Sequence, residues 1–105
     1  MIIHQGDQYA IPIKIKLGNE IITPGNCNDV RIKINDKLLE YSTGGLLYSA
    51  TEQVWQFPLT ESISFNYGNT VMIQIAVKLG TDYLYSPVKK VEVGSSIIKE
   101  LWGGN

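Results

Sequence analysis

The stretch Thr70–Leu79, TVMIQIAVKL, constrains the fold more than any other part of the chain. Val71, Ile73, Ile75, Val77 and Leu79 fall on alternate residues, with Met72, Gln74, Ala76 and Lys78 between them. A period of two sends the two sets to opposite faces of a strand. Five apolar side chains on one face form a large stripe that a second layer must cover. At about 1.5–3 kcal/mol for each fully buried aliphatic side chain, the strand gains on the order of 10 kcal/mol. Fixing its backbone costs a similar amount. The stretch is therefore expected as the central strand of a two-layer β fold, with all five apolar residues facing inward.

The same rhythm recurs elsewhere. Tyr9, Ile11, Ile13, Ile15 and Leu17 alternate with Ala10, Pro12, Lys14 and Lys16. Pro12 cannot donate to a ladder, which puts this strand at a sheet edge or at a bulge. Val30, Ile32 and Ile34 alternate with Arg31 and Lys33, and Asn35-Asp36 reads as a two-residue hairpin turn returning through residues 38–41. Residues 46–50 and 53–59 read as another hairpin, with Trp55, Phe57 and Leu59 on one face as core candidates. Residues 61–66 read as one helical turn or a bent strand. Gly80-Thr81-Asp82 is a compact hairpin loop, followed by Tyr83-Leu84-Tyr85, a break at Pro87, and Val88, Val91 and Val93. Seven or eight short strands with regular turn signals predict an all-β sandwich or small barrel. One-sided alternation and short connections favour the sandwich.

A chain of 105 residues is expected to form one domain, large enough for a core without disulfides or metal. Gly94 is the only candidate boundary, dividing a sandwich over residues 1–94 from a tail over residues 95–105. The tail reads as a Ser-capped short helix carrying Ile97, Ile98, Leu101 and Trp102. Those four residues either cap an open end of the same sandwich or dock on a neighbouring subunit.

Chemistry is sparse. A net charge of −1 argues against nucleic-acid binding, which needs a basic patch. Lys14/Lys16 and Arg31/Lys33 read instead as solvated strand faces, and Lys89/Lys90 is a third small pair. Cys27 is the single cysteine, so an internal disulfide is excluded, in keeping with assembly in a reducing cytoplasm. His4, the single histidine, lies in the first strand, and nothing in the sequence brings it near Cys27 to activate the thiol. The carboxylates show no paired acid/base spacing, and Asn26, Asn28 and Asp29 lack the Glu that closes a calcium loop. No catalytic set, metal or cofactor is expected. Neither a leader peptide nor an apolar run long enough to span a membrane is read from the sequence. Tyr41, Tyr48, Tyr83 and Tyr85 lie on or near strand ends. Such rings line a sandwich rim or serve as stacking platforms for sugars, with Tyr83 and Tyr85 the candidates for the latter.

The order of features resembles a family of phage virion modules, the immunoglobulin-like N-terminal domain of upper-baseplate proteins and related small head or tail proteins. The residues that carry the resemblance are Ile2-Ile3-His4-Gln5-Gly6-Asp7 before the alternation of residues 9–17, the Gly18 to Pro24 connection, and Asp29-Val30-Arg31-Ile32-Lys33-Ile34. Phe57-Pro58-Leu59-Thr60-Glu61 and the last hairpin from Val71 to Val93 complete it. The likeness covers the chain to about Val93. Unlike the larger baseplate proteins, this chain ends near the sandwich, which suits a capsid decoration, head-fibre, neck or tail component equally well. The resemblance implies a non-enzymatic structural protein of a virion, assembled in the host cytoplasm. It would contact other virion proteins and form a homo-oligomer or symmetric assembly, and the family supplies no catalytic residues. A carbohydrate-binding or host-attachment module using Tyr83 and Tyr85 is the alternative.

Overall fold

The computed structural model describes residues 3–4, 6, 8–60, 63–64 and 67–94. The chain is all-β over these residues. In chain order the strands are β1 (Ile3–His4), β2 (Tyr9–Ile13), β3 (Lys16–Leu17), β4 (Glu20–Ile21), β5 (Asp29–Ile34), β6 (Lys37–Glu40), β7 (Leu47–Ser49), β8 (Val54–Leu59), β9 (Thr70–Leu79), β10 (Asp82–Tyr85) and β11 (Lys89–Gly94). The larger sheet has the order β1-β11-β9-β5-β6, with β10 also on β9. The smaller sheet is β2-β8-β7, and β3 and β4 pair only with each other. All pairs are antiparallel except β1 with β11, where Ile3 lies beside Val93 and His4 beside Gly94.

The strand β9 is central, as its alternation predicts, with β5 on one side and β10 then β11 on the other. The two sheets curl around one apolar core. Ile11, Ile13, Trp55, Phe57 and Leu59 enter it from the smaller sheet, and Val30, Ile32, Ile34, Val71, Ile73, Val77, Val91 and Val93 from the larger. Trp55 ties the layers together. Its ring is fully buried, its Nε1–H donates to the Ile22 carbonyl at 3.0 Å, and Tyr41 and Tyr48 meet it edge-on at 5.0 and 4.9 Å between centroids. Thus β8 holds the segment after β4 by a bond spanning 33 residues of sequence.

Turns fix the register. Asn35 has φ 52°, the left-handed geometry that a two-residue hairpin loop requires at its first position. Asn is among the residues that tolerate it most easily. Asn35 N donates to Met72 O, and Met72 N donates to Asn35 Oδ1, so the turn residue extends the β5–β9 ladder by one rung. Pro12 lies on β2 at the free edge of the smaller sheet. Pro12 and Pro58 face Gln56 and Ala10, two rungs of the same type. Lacking N–H groups, both must occupy the non-bonded rungs of this ladder, which leaves Tyr9, Ile11 and Ile13 to bond β8.

Two expectations are corrected. The alternation over residues 9–17 is not one strand. After Ile13 the chain leaves β8 and folds on itself, with Ile22 N donating to Ile15 O at 2.9 Å ahead of the β3–β4 hairpin. Ile15 stays buried but Leu17 faces solvent. On β9, Val71, Ile73 and Val77 are buried, whereas Ile75 and Leu79 are only half-buried. The smaller sheet no longer covers Ile75 once β2 has ended. Residues 95–105, with the helix expected there, and most of 61–66 lie outside the described residues.

Candidate interaction face

The outward set of β9, Met72, Gln74, Ala76 and Lys78, lies on the face opposite the core. Registers place three cross-sheet rows on this face. Glu40, Arg31, Ala76 and Tyr85 form one row. Leu38, Lys33 and Gln74 form the next, and Asp29, Lys78 and Tyr83 a third. Ala76 is the only small side chain in the first row. With strands about 4.8 Å apart, Arg31 and Tyr85 stand about 10 Å from each other across it, leaving a trough floored by Ala76. Shallow cavities of about 120 and 140 Å³ lie here, both lined by Arg31, Ala76 and Tyr85.

Tyr83 and Tyr85 are 63% and 66% exposed, and Leu38 and Met72 are nearly half exposed. The two tyrosines project from the same side of β10 about 7 Å apart along the strand. Lys78 Nζ lies 5.6 Å from the Tyr83 ring centroid, a cation–π contact. Arg31 Nε bonds Glu40 Oε2 at 2.7 Å, which orients the guanidinium along the sheet. Asp29 closes this corner. Burial opposes its charge, but Ser42 Oγ at 2.7 Å, Ser42 N at 3.0 Å and Val30 N at 2.8 Å all donate to it, and Arg31 is nearby. The bonds win, and its pKa lies below the ordinary carboxylate value. The face thus combines aromatic and aliphatic contact area with cations held in place, a composition suited to protein contact.

The sequence singles out Tyr83 and Tyr85, and the structure brings them together on one exposed face. Tyr41 and Tyr48 lie elsewhere, against Trp55. Ile97, Ile98, Leu101 and Trp102 fall outside the described residues. Leu38, Met72 and Ala76 are the members that the sequence reading missed. Their signal was present as the outward parity of Thr70–Leu79, but only the strand pairing shows that Ala76 lies between Arg31 and Tyr85. Cys27 has no part in this face. Burial, then the charge of Asp29, pushes its thiol pKa up, and Sγ donates to Thr23 O at 3.2 Å. Among the described residues no group of three or more His, Cys, Asp or Glu is placed to hold a metal. None of the described helices is long and apolar enough to cross a membrane. In comparisons with known proteins, no family model, no curated protein and no solved structure matches the chain.

Proposed function

We propose that the chain is an immunoglobulin-like β-sandwich module that serves as a structural component of a phage or prophage particle, acting through protein–protein contact. Strand order supports the fold half of this reading. The orders β2-β8-β7 and β11-β9-β5-β6 are what support it, since the Greek-key strands of an immunoglobulin-like domain would run in such an order, with β6 as an added edge strand. The observation that carries the functional half is the outer face of the larger sheet. Leu38, Met72, Tyr83 and Tyr85 expose apolar surface there around a trough, between the Arg31–Glu40 pair and Lys78. Repeated copies on a symmetric lattice convert modest contacts of this kind into stable attachment.

The test is to purify particles by density gradient from the encoding organism and measure the chain by mass spectrometry. A fixed ratio to the major shell or tail protein is expected. Absence from every particle fraction refutes the reading. The double variant Leu38→Glu/Tyr85→Glu is expected to lower co-purification at least tenfold with an unchanged circular dichroism spectrum. The exposed pair Tyr83 and Tyr85 also favours a second reading, sugar stacking. A glycan array with binding lost in Tyr83→Ala and Tyr85→Ala would select it instead.

A further inference from the structure

A second surface lies beside this face, along the edge of β10. On that side no described strand pairs with it. Which backbone groups it offers follows from the ladders. Ser86 N donates to Ile75 O at 2.8 Å, while Asn28 N and Asn35 N donate to Lys78 O and Met72 O. Odd-numbered residues of β9 therefore bond towards β10 and β11, and even-numbered ones towards β5. In β10, Asp82 and Leu84 are the residues bonded to β9, opposite Leu79 and Val77. The N–H and C=O groups of Tyr83 and Tyr85 are left pointing outward. The facing edge of β2 is different. Its outward groups come from Ala10 and Pro12, and Pro12 has no N–H, so that edge is blunted.

Between the two edges the layers stand open. A cavity of about 260 Å³ runs from β10 to the β3–β4 hairpin, lined by Ile15, Leu17, Ile22, Ile75, Val77 and Leu84, with Lys14 and Lys16 at its wall. Leu17 is 47% and Leu84 39% exposed. A second opening of about 520 Å³ continues it past Ser86 and Pro87 towards Lys89, Lys90 and Glu92, where the charges are mixed. Among the described residues, the only charges lining the first cavity are the two lysines. An unpaired edge, an apolar floor and a one-sign rim meet in one place.

We propose that an extended segment of a partner chain adds to the edge of β10 as a further strand. Alternate apolar side chains drop into the cavity against Ile15, Ile22 and Leu84, and acidic residues between them meet Lys14 and Lys16. Main-chain bonds to Tyr83 and Tyr85 supply affinity, and the cavity and the lysines supply selectivity. This surface is distinct from the outer face and does not depend on it.

The probe is a fluorescein-labelled synthetic heptapeptide of alternating Glu and Val, titrated against the full-length chain by anisotropy. It is expected to bind at least tenfold tighter than its Lys/Val counterpart. N-methylating alternate amides along one edge of the peptide is expected to cost at least tenfold, and along the other edge almost nothing. Equal binding of the two peptides, or indifference to N-methylation on both edges, overturns the proposal. Leu84→Glu is expected to lose binding tenfold or more. The surface variant Lys14→Glu/Lys16→Glu, which leaves the core untouched, is expected to reverse the peptide preference, and an unchanged preference overturns the proposal. The full-length Leu101→Glu/Trp102→Glu variant tests the chain's own last residues as occupant. Tenfold tighter peptide binding in that variant would give the groove to them and overturn the assignment to a partner.

Discussion

Replacing Trp55 by Phe tests the tie between the two layers. The change keeps a buried aromatic ring on β8 but removes the indole N–H that reaches the Ile22 carbonyl at 3.0 Å. Ile22 is buried, so the orphaned carbonyl has no ready access to water, at a cost of about 1–3 kcal/mol. The smaller ring also forfeits packing equivalent to two or three methylenes, about 2 kcal/mol. The edge contacts from Tyr41 and Tyr48 survive in part. The sum is about 3–5 kcal/mol, which a domain of ordinary stability, about 5–15 kcal/mol, survives with a reduced margin. Urea unfolding followed by far-ultraviolet circular dichroism measures it. With a slope of about 1.5 kcal/mol per molar, the midpoint falls by about 2–3 M. Hydrogen exchange at Ile22 N, which donates to Ile15 O, should accelerate more than exchange in β5 and β9. A loss below about 1 kcal/mol would refute the reasoning, since the cost of an unsatisfied carbonyl alone reaches that value.

Three further outcomes are expected. Asp29 has a folded pKa below its unfolded value of about 3.9. It therefore adds stability above that value, and the contribution is lost as pH falls through the folded pKa. The advantage of the native chain over Asp29→Asn, measured by urea unfolding across pH, should shrink on acidification, and an advantage that grows would contradict the hydrogen-bond account. Gly94→Ala would place a Cβ against the exposed His4 imidazole ring where β1 lies beside β11, so that the ring must turn away while the strand stays paired. A shifted His4 ring signal by NMR with Ile3 and His4 amides still protected would register this, and an unchanged ring signal would rule it out. Cys27, with its thiol pKa raised, should react with a disulfide reagent at pH 7.5 at least several-fold more slowly than the same thiol in urea. Equal rates would show that burial does not protect it.

Much of the fold was legible because period-two alternation records which side of a strand meets the core. Trp55, Phe57 and Leu59 on β8, Val30, Ile32 and Ile34 on β5, and the turn at Asn35 follow it directly. Pro12 announced an edge for the reason that the ladder shows. Alternation does not record which strand lies opposite. Ile75 reads like Ile73, yet Ile73 is covered and Ile75 opens onto the gap beyond β2. The break between β10 and β11 was marked by Pro87, but its effect was not. Between Tyr85 opposite Ala76 and Lys89 opposite Ile73, three residues face two, a bulge that shifts the parity of the strand. Tyr83 and Tyr85 therefore face outward while Val91 and Val93 face inward, all on odd numbers. Ser86 holds the bulge, accepting from Ile75 N with its hydroxyl and from Gln74 Nε2 with its carbonyl. The candidate face was half visible for the same reason. Two rings two residues apart in sequence could be named, but Arg31 and Ala76 joined them only through pairing across β5, β9 and β10.

The side-by-side course of β1 and β11 has a mechanical consequence. Both run in the same direction, so tension entering at Ile3 and leaving at Gly94 slides one past the other along their length. Every rung then resists together, whereas a hairpin pulled from its open end would unzip one bond at a time. A module clasped in this way can carry load through its backbone without first surrendering its interior.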